Sequence, residues 1–175
     1  QQCNNCYNIE KNGGGSDRQV HNRCNTLFSD DILDIKYGNS KHMPLWVDWR
    51  PGRFCNFSCR MCFVGVSSSI AQEHLAYPEL ETVTGETWYE VNDWIENPIV
   101  FKNIISMLPY LKTIKLAGGE PFFMPGVIKL LKYCVENKIL NLHLDITTNG
   151  SRMQGKVLKW LNLFRSVDIQ FSIDG

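Results

Sequence analysis

From residue 45 onward the sequence alternates between short runs rich in β-branched and aromatic residues and longer stretches with apolar residues at helical spacing. Few folds accept that order. Residues 45–49 read as a first strand, 113–117 as a second, 142–147 as a third and 167–173 as a fourth. Pro98 opens an amphipathic helix with Val100, Ile104, Met107, Leu108 and Leu111 on its apolar face, broken near Pro109. Pro125 and Gly126 open another, carrying Val127, Leu130, Leu131, Cys134 and Val135, so that Cys134 reads as a buried small hydrophobe. Val157, Trp160, Leu161 and Phe164 line a third. Strands separated by helices in this way predict an α/β fold, a parallel sheet with right-handed crossovers.

The strands are apolar on one face only. In the fourth, Val167, Ile169, Phe171 and Ile173 oppose Asp168, Gln170, Ser172 and Asp174; in the third, Leu142, Leu144 and Ile146 oppose His143, Asp145 and Thr147. A parallel strand covered by helices on both faces is apolar throughout. The polar face must therefore meet water or a polar ligand, because an uncompensated buried carboxylate costs roughly several kcal/mol. A partial parallel (β/α) barrel with a wet lumen satisfies both faces, and an open sheet with one solvated side is the alternative. His143 reads as a hydrogen-bonded residue of that polar face.

Between the first strand and the first clear helix stand Cys55, Cys59 and Cys62, three thiols within eight residues. A tight loop with this spacing can turn three sulfurs toward one centre, which suits a soft metal or an iron–sulfur cluster. A structural zinc takes four protein ligands, whereas a four-iron cluster on three thiolates keeps one iron open. The chain has seven cysteines, an odd number and closely bunched, which argues for reduced thiols in a cytoplasmic setting rather than a disulfide framework. Eighteen basic residues balance eighteen acidic ones without a basic run, so no nucleic-acid partner is implied. No apolar run is long enough to span a bilayer.

Residues 1–44 read as an irregular, polar N-terminal segment, with Gly13, Gly14 and Gly15 as a flexible turn, and 45–175 as the ordered core. Cys3 and Cys6 form a Cys-x2-Cys pair, half a metal site that Cys24 or a residue before Gln1 would complete, or else a plain loop. Residues 66–94 are ambiguous, with Ser67, Ser68 and Ser69 able to cap a short helix. The chain opens without Met and stops where a strand ends, so it is expected to be a fragment truncated after its fourth strand, with strands five and six beyond Gly175.

Ligands of parallel α/β folds bind at the carboxyl ends of the strands. Four features fall there: the cysteine loop, then Gly118-Gly119-Glu120-Pro121, then Thr147-Thr148-Asn149-Gly150, then Ser172-Ile173-Asp174-Gly175. Paired glycines allow close backbone approach, leaving carbonyls and the Glu120 carboxylate to accept from an ammonium group.

Cys-x3-Cys-x2-Cys after one strand and Gly-Gly-Glu-Pro after the next resemble the radical S-adenosylmethionine (SAM) superfamily, over about residues 45–175. The resemblance implies that Cys55, Cys59 and Cys62 bind a [4Fe-4S] cluster whose open iron chelates the amino and carboxylate groups of SAM. It implies that Gly118, Gly119 and Glu120 hold the methionyl amino group, that Ser172 and Asp174 lie near the ribose, and that Thr148 and Asn149 sit nearby. An electron from the cluster would cleave the sulfur to 5′-carbon bond, giving methionine and a 5′-deoxyadenosyl radical that takes hydrogen from a substrate. A low-potential donor such as flavodoxin or ferredoxin would supply the electron. The family usually has an aromatic residue against the adenine before the third cysteine; here Met61 stands there, with Phe63 beyond. Upstream, Cys3-Asn4-Asn5-Cys6-Tyr7 with Glu10, Gly13 to Gly15, Ser16 and Arg18 resembles the twitch-domain radical SAM proteins, relatives of the SPASM enzymes. That would make Cys3 and Cys6 ligands of an auxiliary iron–sulfur cluster, and by analogy points to a peptide or protein substrate.

Two rivals remain on the sequence. One is a zinc-stabilised binding module, in which His74, Cys24 or His42 joins the three cysteines. The other is a degenerate radical SAM scaffold without turnover.

Overall fold

The computed structural model describes residues 2–17, 19–20, 44–77, 96–153 and 155–173. The chain divides into two compact units, residues 1–42 and 43–175.

In the first unit the expected irregular segment contains a helix, α1 (Gln2–Lys11). The apolar periodicity that would announce it is weak; its stop signal is not. Gly13 adopts φ +78°, its N–H donating to Glu10 O at 3.0 Å, and the Gly14 N–H reaches Ile9 O at 2.9 Å. That is the paired bonding of a Schellman cap, so the glycine run ends a helix rather than forming a free turn. Ser16 is buried, donates to the Glu10 carboxylate and accepts from the Gln19 N–H at 3.2 Å.

The second unit carries β1 (Trp46–Trp49), α2 (Ser68–Ala76), α3 (Pro98–Met107), β2 (Thr113–Leu116), α4 (Pro125–Glu136), β3 (His143–Thr148), α5 (Lys156–Leu161) and β4 (Ser166–Phe171). The four strands form one sheet in the order β1-β2-β3-β4, every pair parallel. Proline at the first turn starts α3 and α4, and Asn97 caps α3 by accepting from the Ile99 N–H at 3.0 Å. Ser67 caps α2 through the Ile70 N–H, and α2 lies where the sequence was ambiguous.

One continuous core joins Ile114, Leu116, Leu144 and Ile146 of the sheet to Phe101, Ile104 and Leu108 of α3 and its cap, Val127, Leu130, Leu131 and Cys134 of α4, and Leu161 and Phe164 in and after α5. The helices therefore cover the apolar face, as the alternation predicts. Along β4, Val167 and Ile169 pack against this core, while Phe171 and Ile173 are exposed at the end of the edge strand.

On the other face, register aligns Asp48, Lys115, Asp145 and Asp168 in one row across all four strands. Lys115 Nζ lies 3.4 Å from Asp145 Oδ2, Arg50 pairs with Asp48 at 3.3 Å, and His143 sits between Ser166 Oγ at 2.8 Å and Asp168 Oδ2 at 3.7 Å.

Candidate functional site

The carboxyl edge of the sheet is built on backbone contact. Parallel pairing continues past the ends of β1 and β2: Ala117 N–H donates to Trp49 O at 3.0 Å, Gly119 N–H to Gly52 O at 3.3 Å and Glu120 N–H to Phe54 O at 2.8 Å. Side chains would forbid this. Gly118 has φ +109°, and a Cβ there would stand 2.7 Å from Gly52 O; a Cβ on Gly119 would stand 2.3 Å from Phe54 O. The close approach that the paired glycines permit is thus to residues 52–54, the segment that delivers Cys55.

The loop from Cys55 onward is anchored to the start of α2 by three serines. Cys55 N–H donates to Ser68 Oγ at 3.0 Å, and Cys55 O accepts from Ser68 Oγ at 3.2 Å and Ser69 Oγ at 2.8 Å. Ser67 Oγ donates to Phe57 O at 3.1 Å, and Ser68 N–H to Arg53 O at 2.8 Å. By position in the sequence these serines announce a capping role only. Their second task, holding the backbone around the first cysteine, had one available signal: three adjacent short hydroxyls within seven residues of the last thiol.

Glu120 is 1% exposed. Its Oε1 accepts from the Phe122 N–H at 3.1 Å and from Thr148 Oγ1 at 2.7 Å, and its Oε2 accepts from the Asn149 N–H at 2.7 Å. Both oxygens of this carboxylate are engaged by protein donors that tie the end of β2 to the end of β3. A buried carboxylate with charge-assisted bonds to three donors is stable where a bare one is not.

Beyond Thr148, Asn149 turns toward the cysteine loop. Its Nδ2 donates to Asn56 Oδ1 at 3.2 Å and reaches Cys55 Sγ at 3.9 Å, while Ser151 Oγ lies 3.0 Å from Asn56 Nδ2 and 2.6 Å from Asn149 Oδ1. Asn56 and Ser151 join the site here without having been singled out in the sequence; polar residues beside a ligand loop carry no spacing rule. Arg152 lies over the Phe123 ring, 5.3 Å from its centroid, joining the turns after β2 and β3 once more.

The remaining expected positions are placed as follows. Cys55 and Cys59 are half-buried and Cys62 is exposed, all three as thiols outside any disulfide. Met61 is 86% exposed at the loop tip. Thr148 is buried, and Ser172, exposed, donates its N–H to Thr148 O at 2.9 Å. Asp174, Cys24 and His42 lie outside the described residues, as does the side chain of Cys3; Cys6 on α1 is half-buried. Cys134 is buried in the core, as expected, and burial pushes its thiol up to about 12. Among the described residues no three His, Cys, Asp or Glu side chains form a preassembled metal site, and His74 joins no such set with the cysteines. The donor set itself fits an iron–sulfur cluster: three thiols, at least partly accessible, on a short loop pinned at the carboxyl edge of a parallel sheet.

Residues 49–175 match the Radical SAM superfamily, and the chain belongs to that family. Neither the curated proteins nor the solved structures yield a significant match. Among the described residues no helix is long and apolar enough to cross a membrane.

Proposed function

We propose that the protein is a radical SAM enzyme in which Cys55, Cys59 and Cys62 hold a [4Fe-4S] cluster and the ends of β2, β3 and β4 hold SAM. The reading rests on one observation above others: the cysteine loop, the Gly118-Gly119-Glu120 turn and Asn149 are hydrogen-bonded into a single carboxyl-edge assembly, in a chain of this family. When bound, the cluster supplies one electron that cleaves the sulfur to 5′-carbon bond of SAM, giving methionine and a 5′-deoxyadenosyl radical that abstracts a substrate hydrogen.

In this reading the carbonyls of Gly118 and Gly119 accept from the methionyl ammonium, and Glu120 fixes the turn that presents them. Met61 lies against the adenine, with Ser172 and Asp174 near the ribose and Thr148 and Asn149 nearby. The polar face of the sheet lines the lumen of a partial barrel. Cys3 and Cys6 belong to an auxiliary cluster of the twitch type, and the substrate is a peptide or protein. The setting is cytoplasmic, with a flavodoxin- or ferredoxin-like electron donor.

Incubating the anaerobically reconstituted protein with SAM and dithionite tests the reading. Release of 5′-deoxyadenosine and methionine is expected. A loaded cluster that releases neither identifies a scaffold without turnover.

A further inference from the structure

We propose that Asn149 is a positioning residue for the cluster ligand Cys55, donating an N–H···S hydrogen bond that raises the cluster's reduction potential; this rests on the cluster assignment above. The orientation of the Asn149 amide is fixed by chemistry. The Ser151 backbone N–H, which can only donate, points at Asn149 Oδ1 across 2.9 Å, so the oxygen end is settled and the NH2 end must face the cysteine loop. Its two hydrogens have two acceptors, Asn56 Oδ1 at 3.2 Å and Cys55 Sγ at 3.9 Å. Cys55 Sγ also accepts from the Phe57 N–H at 3.5 Å, so the sulfur stands between a backbone donor of its own loop and a side-chain donor from the end of β3.

The consequence is electronic as well as steric. Hydrogen bonds to cluster sulfurs favour the reduced, more negative state and are among the factors that set iron–sulfur potentials. Asn149 is also joined to Glu120, whose Oε2 accepts its backbone N–H at 2.7 Å. One residue thereby links the turn assigned to SAM with the first cluster ligand.

The test is a redox titration of the reconstituted cluster, followed by electron paramagnetic resonance, in the unaltered protein and in Asn149→Ala, Asn149→Asp and Ser151→Ala. Both Asn149 variants are expected to shift the reduction equilibrium about tenfold toward the oxidised cluster, a fall of about 59 mV for a one-electron couple. Ser151→Ala keeps the backbone N–H that orients Asn149 and removes only the second bond to Asn149 Oδ1, so it is expected to lower the potential by a clearly smaller amount. Selective loss of the cluster from both Asn149 variants, with retention in Ser151→Ala, also supports the role. Unchanged potentials in the Asn149 variants overturn it, as does an equal shift or equal loss in Ser151→Ala, which would mark general loosening of the loop. Failure of the unaltered protein to take up iron and sulfide overturns the cluster assignment itself and this inference with it.

Discussion

The Thr148 hydroxyl, at the end of β3, donates to the buried carboxylate of Glu120, just past the end of β2, across 2.7 Å. The same hydroxyl accepts from the Gly150 N–H at 3.0 Å, so one oxygen serves the turn after β3 and the clasp between the strands together. Hydrogen bonds in such a chain polarise one another, and the carboxylate anchors them.

Removing the anchor should be costly. Glu120→Ala leaves the Phe122 and Asn149 N–H groups and the Thr148 hydroxyl without their acceptor, and is expected to lower stability by about 2–4 kcal/mol in denaturant unfolding. Thr148→Val removes one donor to Glu120 and the acceptor of the Gly150 N–H, and should cost about 1–2 kcal/mol. Equal stability of Glu120→Ala and the unaltered protein would mean that the clasp holds nothing.

Gly119→Ala tests the backbone approach instead of a side chain. A Cβ 2.3 Å from Phe54 O cannot be accommodated without moving the segment before Cys55. The variant is expected to fold less stably by about 2 kcal/mol or more and to lose most of its iron after reconstitution. Iron retention equal to that of the unaltered protein would show that the β1–β2 extension does not set the loop.

How much of this was legible in the sequence depends on the kind of interaction. The alternation of Leu144 and Ile146 with Asp145 and Thr147 announced both the strand and its faces, because a period of two admits one reading. The spacing of Cys55, Cys59 and Cys62 points to a ligand loop, an expectation that reconstitution with iron and sulfide tests. Helix α1 is hard to see in the sequence because its apolar face is weak, although Gly13 carries the stop signal. The engagement of Glu120 by Thr148 and Asn149 joins residues 28 and 29 positions apart, and Asn56 meets Ser151 across 95. Such pairs obey no local pattern; only the parallel register of β2 and β3 brings them together.

Ser68→Ala should separate the two tasks of the serine triplet. It leaves the Ser67 cap of α2 in place but removes both bonds between the Ser68 hydroxyl and Cys55. A loss of about 1–2 kcal/mol with near-normal helix content by circular dichroism is expected. A loss of helix content instead would mean that the triplet serves α2 alone.

Cys134 predicts a pH dependence. Its thiol pKa is raised by burial from 9.0 to about 12, so above pH 9 the unfolded chain loses a proton that the folded chain keeps. Unfolding then draws stability away with rising pH, by up to about 1.4 kcal/mol per unit through the window from 9 to 12, and not below it. Cys134→Ala removes this contribution. Subtracting its stability curve from that of the unaltered protein should give a flat difference below pH 9 that falls above it; a difference independent of pH would show that the thiol ionises alike in both states.

The central claim is that Cys55, Cys59 and Cys62 hold a four-iron cluster. Iron and acid-labile sulfide, measured after anaerobic reconstitution of the unaltered protein and of a variant with all three cysteines changed to alanine, test it most directly. The account predicts that the unaltered protein carries about four iron and four sulfide per chain more than the variant, the stoichiometry of one [4Fe-4S] cluster. One zinc with no sulfide, or iron and sulfide unchanged by the loss of the three thiols, would contradict it.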